Sequence, residues 1–205
     1  MAFLRKHSFK IAVLALCAAM GIYLLITNLS QNDEKMPIQK AAPAFELSDI
    51  DGNEVSLAST NGKARLVYFY FANCPDVCPP TTFLLSETQD LLEKKGVLGK
   101  SAEMISITFD PERDTPEVIR AFAERNFAEP NNGWRFLRGE GDATIQLAQD
   151  FGVGVKKDEV NKSFIHFNTI TLVDKDGQIR KWINGSDENL TPEMLADDLI
   201  RLAKE

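Results

Sequence analysis

The sequence predicts an α/β fold with a mixed central sheet and flanking helices. Three observations carry this expectation. Leu66–Phe71 is a continuous apolar run of the kind that forms a strand buried on both faces, and Glu103–Phe109 (EMISITF) reads as a second buried strand. Helical patterns follow both, so strand and helix alternate and parallel pairing is expected. The last third changes character: Phe164–Val173 and Gln178–Ile183 flank Asp176-Gly177 and read as a hairpin, and a final helix follows.

The chain opens with Arg5, Lys6 and Lys10 and no acid before residue 33. Residues 11–32 carry no charge, and Ile11–Ile26 (IAVLALCAAMGIYLLI) is almost wholly apolar. That length is close to the roughly 20 residues that cross a bilayer. The preceding basic residues put the N-terminus in the cytoplasm and the rest outside. The expected organisation is a cytoplasmic segment over 1–10, a transmembrane anchor over 11–29, a linker over 30–43 and one folded domain over 44–205. A cleaved signal peptide has an apolar core of only about 7–15 residues. Leu14-Ala15-Leu16-Cys17 has the outline of a lipid-attachment site, but Leu16 is bulky and the apolar run continues past it. The setting is the outer face of a bacterial cytoplasmic membrane, with a lipidated N-terminus as the alternative.

Beyond the leader, 20 basic residues face 30 acidic ones, a net charge of −10. Such a domain is a poor nucleic-acid binder and suits a basic partner surface.

Within the domain, Phe45–Leu47 and Glu54–Leu57 flank Asp51-Gly52 and form an N-terminal hairpin. Asn61-Gly62 turns the chain into the Leu66–Phe71 strand. Phe83–Lys95 carries Phe83, Leu84, Leu85, Leu91 and Leu92 at helical spacing, with Gly96 as its terminator. Asp110-Pro111 ends the second buried strand. Asp114-Thr115-Pro116-Glu117 offers a capping box for a helix through about Phe127. Gly133–Leu137 reads as a short strand and Asp142–Phe151 as a short helix. Residues 152–163 (GVGVKKDEVNKS) read as an exposed loop. Thr191 and Pro192 cap and open a last helix to Ala203. This order resembles the thioredoxin fold.

Three cysteines are present: Cys17 in the leader, and Cys74 and Cys78 just past the carboxyl end of the first buried strand. Ligands bind at that end of open α/β sheets. Pro79-Pro80 fit a first helical turn, which places Cys74 in a loop and Cys78 at a helix start. The positive end of a helix favours a thiolate. Two thiolates this close can hold a soft metal, Cu(I) above all, or close as a disulfide. Asp76 between them and three prolines without N–H groups work against a very low thiol pKa.

His166 is the only imidazole of the domain, 88 residues beyond Cys78, where a strand begins. In a thioredoxin-like arrangement that strand lies beside the one carrying the cysteine loop, so His166 faces the thiols. A lone histidine beside Phe164, Ile165 and Phe167 is also what a packed or solvated histidine looks like; if it joins the cysteines, two thiolates and one imidazole suit trigonal Cu(I), whereas structural zinc takes four protein ligands.

Asn73-Cys74-Pro75-Asp76-Val77-Cys78-Pro79 resembles the CPDVCP signature of the Sco/SenC family. Asp110–Pro116 (DPERDTP) resembles that family's DPxRDTP segment, and His166 in HFNTITLVDKDG resembles its metal histidine. The similarity spans roughly Pro43–Ala203. It implies a membrane-anchored, thioredoxin-like copper protein that serves the CuA site in subunit II of cytochrome c oxidase, or another copper protein. Carried over, Cys74, Cys78 and His166 are the ligands for Cu(I) or Cu(II), and the cysteine pair cycles between dithiol and disulfide. Ala72-Asn73 and Phe167-Asn168 depart from the residues many members carry beside the ligands. Asp110 and Asp114 either support the ligands from behind or form a docking surface; a turn and a helix cap account for them equally well.

Two functions follow. One is a copper metallochaperone, which is not an enzyme. The other is a thiol-disulfide oxidoreductase that reduces the CuA cysteines or acts in redox signalling. Against a general oxidoreductase, no proline lies between Asn131 and Thr191, where such enzymes place one opposite the thiols.

Overall fold

The computed structural model describes residues 2–31, 35–130 and 133–205. The chain forms two compact units, Met1–Lys35 and Met36–Glu205. The first contains α1 (Ala2–Gln31), a helix of 30 residues. Its Leu14, Leu16, Met20 and Ile22 side chains are exposed. Among the described residues no helix is long and apolar enough to cross a membrane. The side chains of 25–29 in the expected anchor and of 30–31 in the expected linker, and residues 32–34 of that linker, lie outside the described residues.

In the second unit the elements are β1 (Lys40–Ala41), β2 (Glu46–Asp49), β3 (Glu54–Ser56), β4 (Ala64–Tyr70), α2 (Cys78–Lys94), β5 (Ala102–Thr108) and α3 (Pro116–Arg125). They continue with β6 (Trp134–Arg138), α4 (Gly141–Asp150), β7 (Val155–Asp158), β8 (Ser163–His166), β9 (Thr169–Val173), β10 (Gln178–Asn184) and α5 (Pro192–Lys204). Eight strands form one sheet in the order β1-β10-β9-β4-β5-β6-β2-β3, and β7 and β8 pair separately. β4, β5 and β6 are parallel, and β9 runs antiparallel to β4. This is the mixed, thioredoxin-like sheet expected, with the two predicted buried strands at its centre.

Every residue of β4 and β5 is buried, the polar Arg65, Glu103, Ser106 and Thr108 included. Large aromatics fill the space beside them. Tyr70 stacks on Phe122 at 5.1 Å and meets the edge of Phe136 at 5.7 Å, while Phe69 leans on Phe151 at 5.4 Å. Such pairs add roughly 0.5–1.5 kcal/mol each beyond area burial. α2 packs against α5, which also covers β4 and β5. Gly96 ends α2 in the left-handed conformation, φ +67°.

The structure departs from the sequence reading at several points. The α3 cap is Thr115, whose hydroxyl accepts from the Val118 N–H, rather than Asp114, which turns inward. α3 stops at Arg125 because Phe127 is left-handed (φ +59°) and the Ala128 N–H returns to the Ala123 carbonyl at 2.9 Å. Met36 and β1 fall where a linker was expected. Met36 is buried, and its carbonyl accepts from the Arg180 guanidinium, which also pairs with Asp174 and Glu205. Residues 152–163 are not only loop: β7 pairs with β8 from Val155↔His166 to Asp158↔Ser163. β7 carries no strand pattern in the sequence because only Val155 of its four residues is apolar and buried. The strand expected over Phe164–Val173 is broken at Phe167–Asn168, where the Phe167 N–H bonds the Gly154 carbonyl at 2.8 Å and Asn168 turns into the interior.

The α5 cap is as read: the Thr191 hydroxyl accepts from the Met194 N–H at 3.3 Å, with Pro192 following. Thr191→Ala should cost about 1 kcal/mol and lower Tm by roughly 2–4 °C in a thermal melt. An unchanged Tm would remove this cap from the account of α5.

Candidate metal centre

β4 delivers the chain to a turn in which the Cys74 N–H bonds the Phe71 carbonyl at 3.2 Å. α2 then begins at Cys78, whose N–H points at Cys74 Sγ, 3.4 Å away. Pro79 and Pro80 have no N–H, so the donor at the helix mouth is that of Cys78. The sequence-predicted placement, one thiol in the loop and one at the helix start, is the observed one.

His166 ends β8, on the small hairpin rather than on the main sheet. Its Nε2 lies 3.7 Å from Cys78 Sγ, and its Nδ1 lies 3.2 Å from the Phe167 carbonyl oxygen. A carbonyl only accepts, so Nδ1 carries a proton toward Phe167, and Nε2 faces the sulfurs. The three donor atoms of Cys74, Cys78 and His166 all lie within 4.8 Å of one another. Phe109 and Phe71 flank the imidazole edge-on, with ring centroids 5.2 and 5.9 Å away. Phe164 closes the wall, 4.9 Å from Phe109. Cys78 has no exposed surface, Cys74 is 7% exposed and His166 is half-buried.

The two thiols are electrostatically unequal. The Cys78 thiol donates to Cys74, and with His166 and the Asp76 and Cys78 N–H groups it lowers the Cys74 pKa to about 4 against the cost of burial. The Cys78 thiol is pushed up, because it donates that proton, is desolvated and lies beside the Cys74 charge. The pair thus keeps one proton, on Cys78. Asp76 acts on Cys74 through its backbone N–H, which offsets the repulsion expected from its carboxylate. Alkylation of Cys74 by iodoacetamide should therefore be nearly flat from pH 6 to 8, where an ordinary thiol gains close to tenfold per pH unit. Peptide mapping in a Cys17→Ser background reads this directly; a tenfold rise per unit would contradict the assignment.

Asp110 and Asp114 are not among the donors. Asp114 is fully buried, and its Oδ2 accepts from the Ala72 N–H at 2.9 Å and from the Thr108 hydroxyl. Asp110 pairs with Arg113 Nε at 2.5 Å. Burial raises the pKa of both carboxyls.

Sequence reasoning missed Asn168. Its Oδ1 accepts from the Tyr68 hydroxyl at 3.1 Å, and its Nδ2 donates to Thr81 Oγ1 at 2.8 Å and Ser186 Oγ at 2.9 Å. It ties the segment after His166 to β4 and to the first turn of α2. Its only sequence signal was the departure of Phe167-Asn168 from the residues many family members carry beside the histidine.

Metal–sulfur and metal–nitrogen bonds of roughly 2.0–2.3 Å set trigonal donors roughly 3.5–4 Å apart. The observed cluster needs only small side-chain rotations to meet this, and its softness matches Cu(I). Fold and site together define a thioredoxin-like domain that presents a dithiol and one imidazole at the carboxyl end of a central strand.

The chain belongs to the SCO1/SenC family, whose profile matches residues 33–204. It is 30% identical over 178 residues to the SCO1 protein homolog of Bacillus subtilis, covering 86% of this chain and 90% of that one. The structure of BsSco, described as a member of the Sco family of cytochrome c oxidase assembly proteins and as carrying a disulfide switch, superposes with a TM-score of 0.71. It is 29% identical and covers 83% of this chain and 98% of its own. Bradyrhizobium japonicum ScoI, solved with copper bound, superposes with a TM-score of 0.66 at 30% identity, over 79% of this chain and 99% of its own.

Proposed function

We propose that this protein is a membrane-tethered copper chaperone of the extracytoplasmic face of a bacterial membrane. It holds one copper ion as cargo on Cys74, Cys78 and His166 and assists assembly of the CuA centre in subunit II of cytochrome c oxidase. The single observation that carries this reading is the convergence of those three donor atoms within 4.8 Å, from elements 88 residues apart in a chain of this family. The apolar run Ile11–Ile26, with exposed Leu14, Leu16, Met20 and Ile22, supports the tether.

The chain's own groups supply the chemistry of capture. Cys74 already bears negative charge and meets the cation first. Binding then releases the proton kept on Cys78, so apparent affinity rises with pH. The aromatic wall of Phe71, Phe109 and Phe164 shields one side of the imidazole from water. The net charge of −10 on the domain favours a basic docking face on the recipient.

Anaerobic titration of the reduced full chain with Cu(I), followed by gel filtration and metal analysis, tests the reading. Retention of one equivalent, abolished in Cys74→Ser/Cys78→Ser, is expected. Equal retention by the double variant would refute it.

A second reading is supported by the unequal thiols. A charged Cys74 beside a proton-bearing Cys78 is the pattern of an attacking and a resolving cysteine. Cys74 would attack a partner disulfide and release one thiolate. Cys78 would then displace the second, closing Cys74–Cys78 as two electrons and the one proton of Cys78 pass to the partner, whose other thiolate takes its proton from water. Turnover of a disulfide substrate by His166→Ala at the wild-type rate would favour this reading.

A further inference from the structure

The copper reading leaves one exposed cation of the DPERDTP segment without a role. Arg113 Nη1 donates to the Lys162 carbonyl at the turn end of the β7–β8 hairpin, 2.7 Å away. Its guanidinium lies over the Phe164 ring, 5.8 Å from the centroid, and Phe164 belongs to the wall beside His166. Its Nε pairs with Asp110. From there the bonding runs on without a gap. The Asp110 N–H donates to Thr108 Oγ1 at 3.0 Å, the Thr108 hydroxyl donates to Asp114 Oδ2, and that oxygen accepts from the Ala72 N–H, two residues before Cys74.

We infer that Arg113 is a positioning residue that clasps the His166 hairpin onto the dithiol loop. β8 itself pairs with β7 alone, so the main sheet reaches the hairpin only through the Asn168 segment that follows His166. Gln149 holds the β7 side of the hairpin through the Val155 carbonyl at 3.0 Å. Arg113 holds the opposite end, and it does so with three contacts that one planar guanidinium can satisfy together: an ion pair, a carbonyl bond and a ring face. A lysine ammonium lacks that geometry. The inference rests on the copper reading for its functional consequence and on hydrogen bonding alone for its structural one.

The test uses the reduced full chain with Arg113→Ala, His166→Ala and both together. Competition against a colorimetric Cu(I) chelator should show Arg113→Ala binding about tenfold more weakly, the loss common when a group supporting a ligand is removed. In the His166→Ala background the same substitution should change affinity less than twofold, because Arg113 acts through the imidazole. Hydrogen–deuterium exchange of the metal-free Arg113→Ala chain should accelerate over residues 155–166 and stay unchanged in β4 and β5. Unaltered affinity, an equal tenfold loss without His166, or acceleration spreading into β4 and β5 would each overturn the clasp. If His166→Ala itself binds copper like the wild type, the copper reading falls, and the exchange experiment still decides the clasp.

Discussion

His166→Ala should weaken Cu(I) binding on the order of a hundredfold or more while leaving the fold intact. One of three donors disappears, and among the described residues no other Cys, His, Asp or Glu joins the cluster, while the flanking Phe71 and Phe109 cannot ligate. A hundredfold loss corresponds to about 2.7 kcal/mol, modest for a metal–nitrogen bond because the two thiolates remain. The His166 side chain lies outside the main sheet, so the melting temperature should move by no more than a few degrees. Chelator competition beside a thermal melt separates the two effects. Wild-type copper affinity in this variant would end the three-donor account.

Asp114→Ala should be among the most destabilising single changes near the site, by about 3 kcal/mol, or roughly 6–12 °C in Tm. The carboxylate is fully buried and serves two donors, the Ala72 N–H and the Thr108 hydroxyl. Removing it strands both away from water. Asp114→Asn should recover most of the loss, since an amide oxygen accepts the same bonds. The charge also makes a pH signature. Burial raises the Asp114 pKa in the folded chain. The folded state then binds that proton more tightly than the unfolded one, so this group's contribution is greatest below its unfolded pKa and is lost as pH rises through the folded value. Urea melts of wild type and Asp114→Asn from pH 4 to 7 should therefore diverge in slope, with the wild type losing stability relative to the amide variant as pH rises. Parallel pH profiles would show that the carboxyl titrates alike in both states.

How much of this was legible in the sequence depended on whether the cause was local. Leu66–Phe71 and Glu103–Phe109 announced buried central strands because a strand covered on both faces has no polar face to reveal. Pro79-Pro80, Gly96 and Thr191-Pro192 marked helix ends because each acts on its own few residues. The pairing of Cys74 and Cys78 with a histidine 88 residues away came from the likeness to a known fold and then to a family, since no periodicity spans that distance. What stayed hidden was carried by side chains reaching across the fold. Asn168 meets Tyr68 and Thr81 at separations of 100 and 87 residues. Asp114 looked like a cap because Asp-Thr-Pro-Glu is a good one; Thr115 took that task and freed the carboxylate to hold Ala72. Burial decides between the two uses, and burial is set by the finished sheet.

That β8 pairs only with β7, apart from the eight-stranded sheet, has a consequence for how defective variants are recognised. Cooperative unfolding is governed by the large sheet and its helices, while the imidazole rides on a small appendage. A substitution in residues 155–166 can abolish cargo retention yet leave the protein abundant, monodisperse and heat-resistant. Screens that grade variants by yield or thermal tolerance will pass such molecules as sound, and only a measurement of metal retention will expose them.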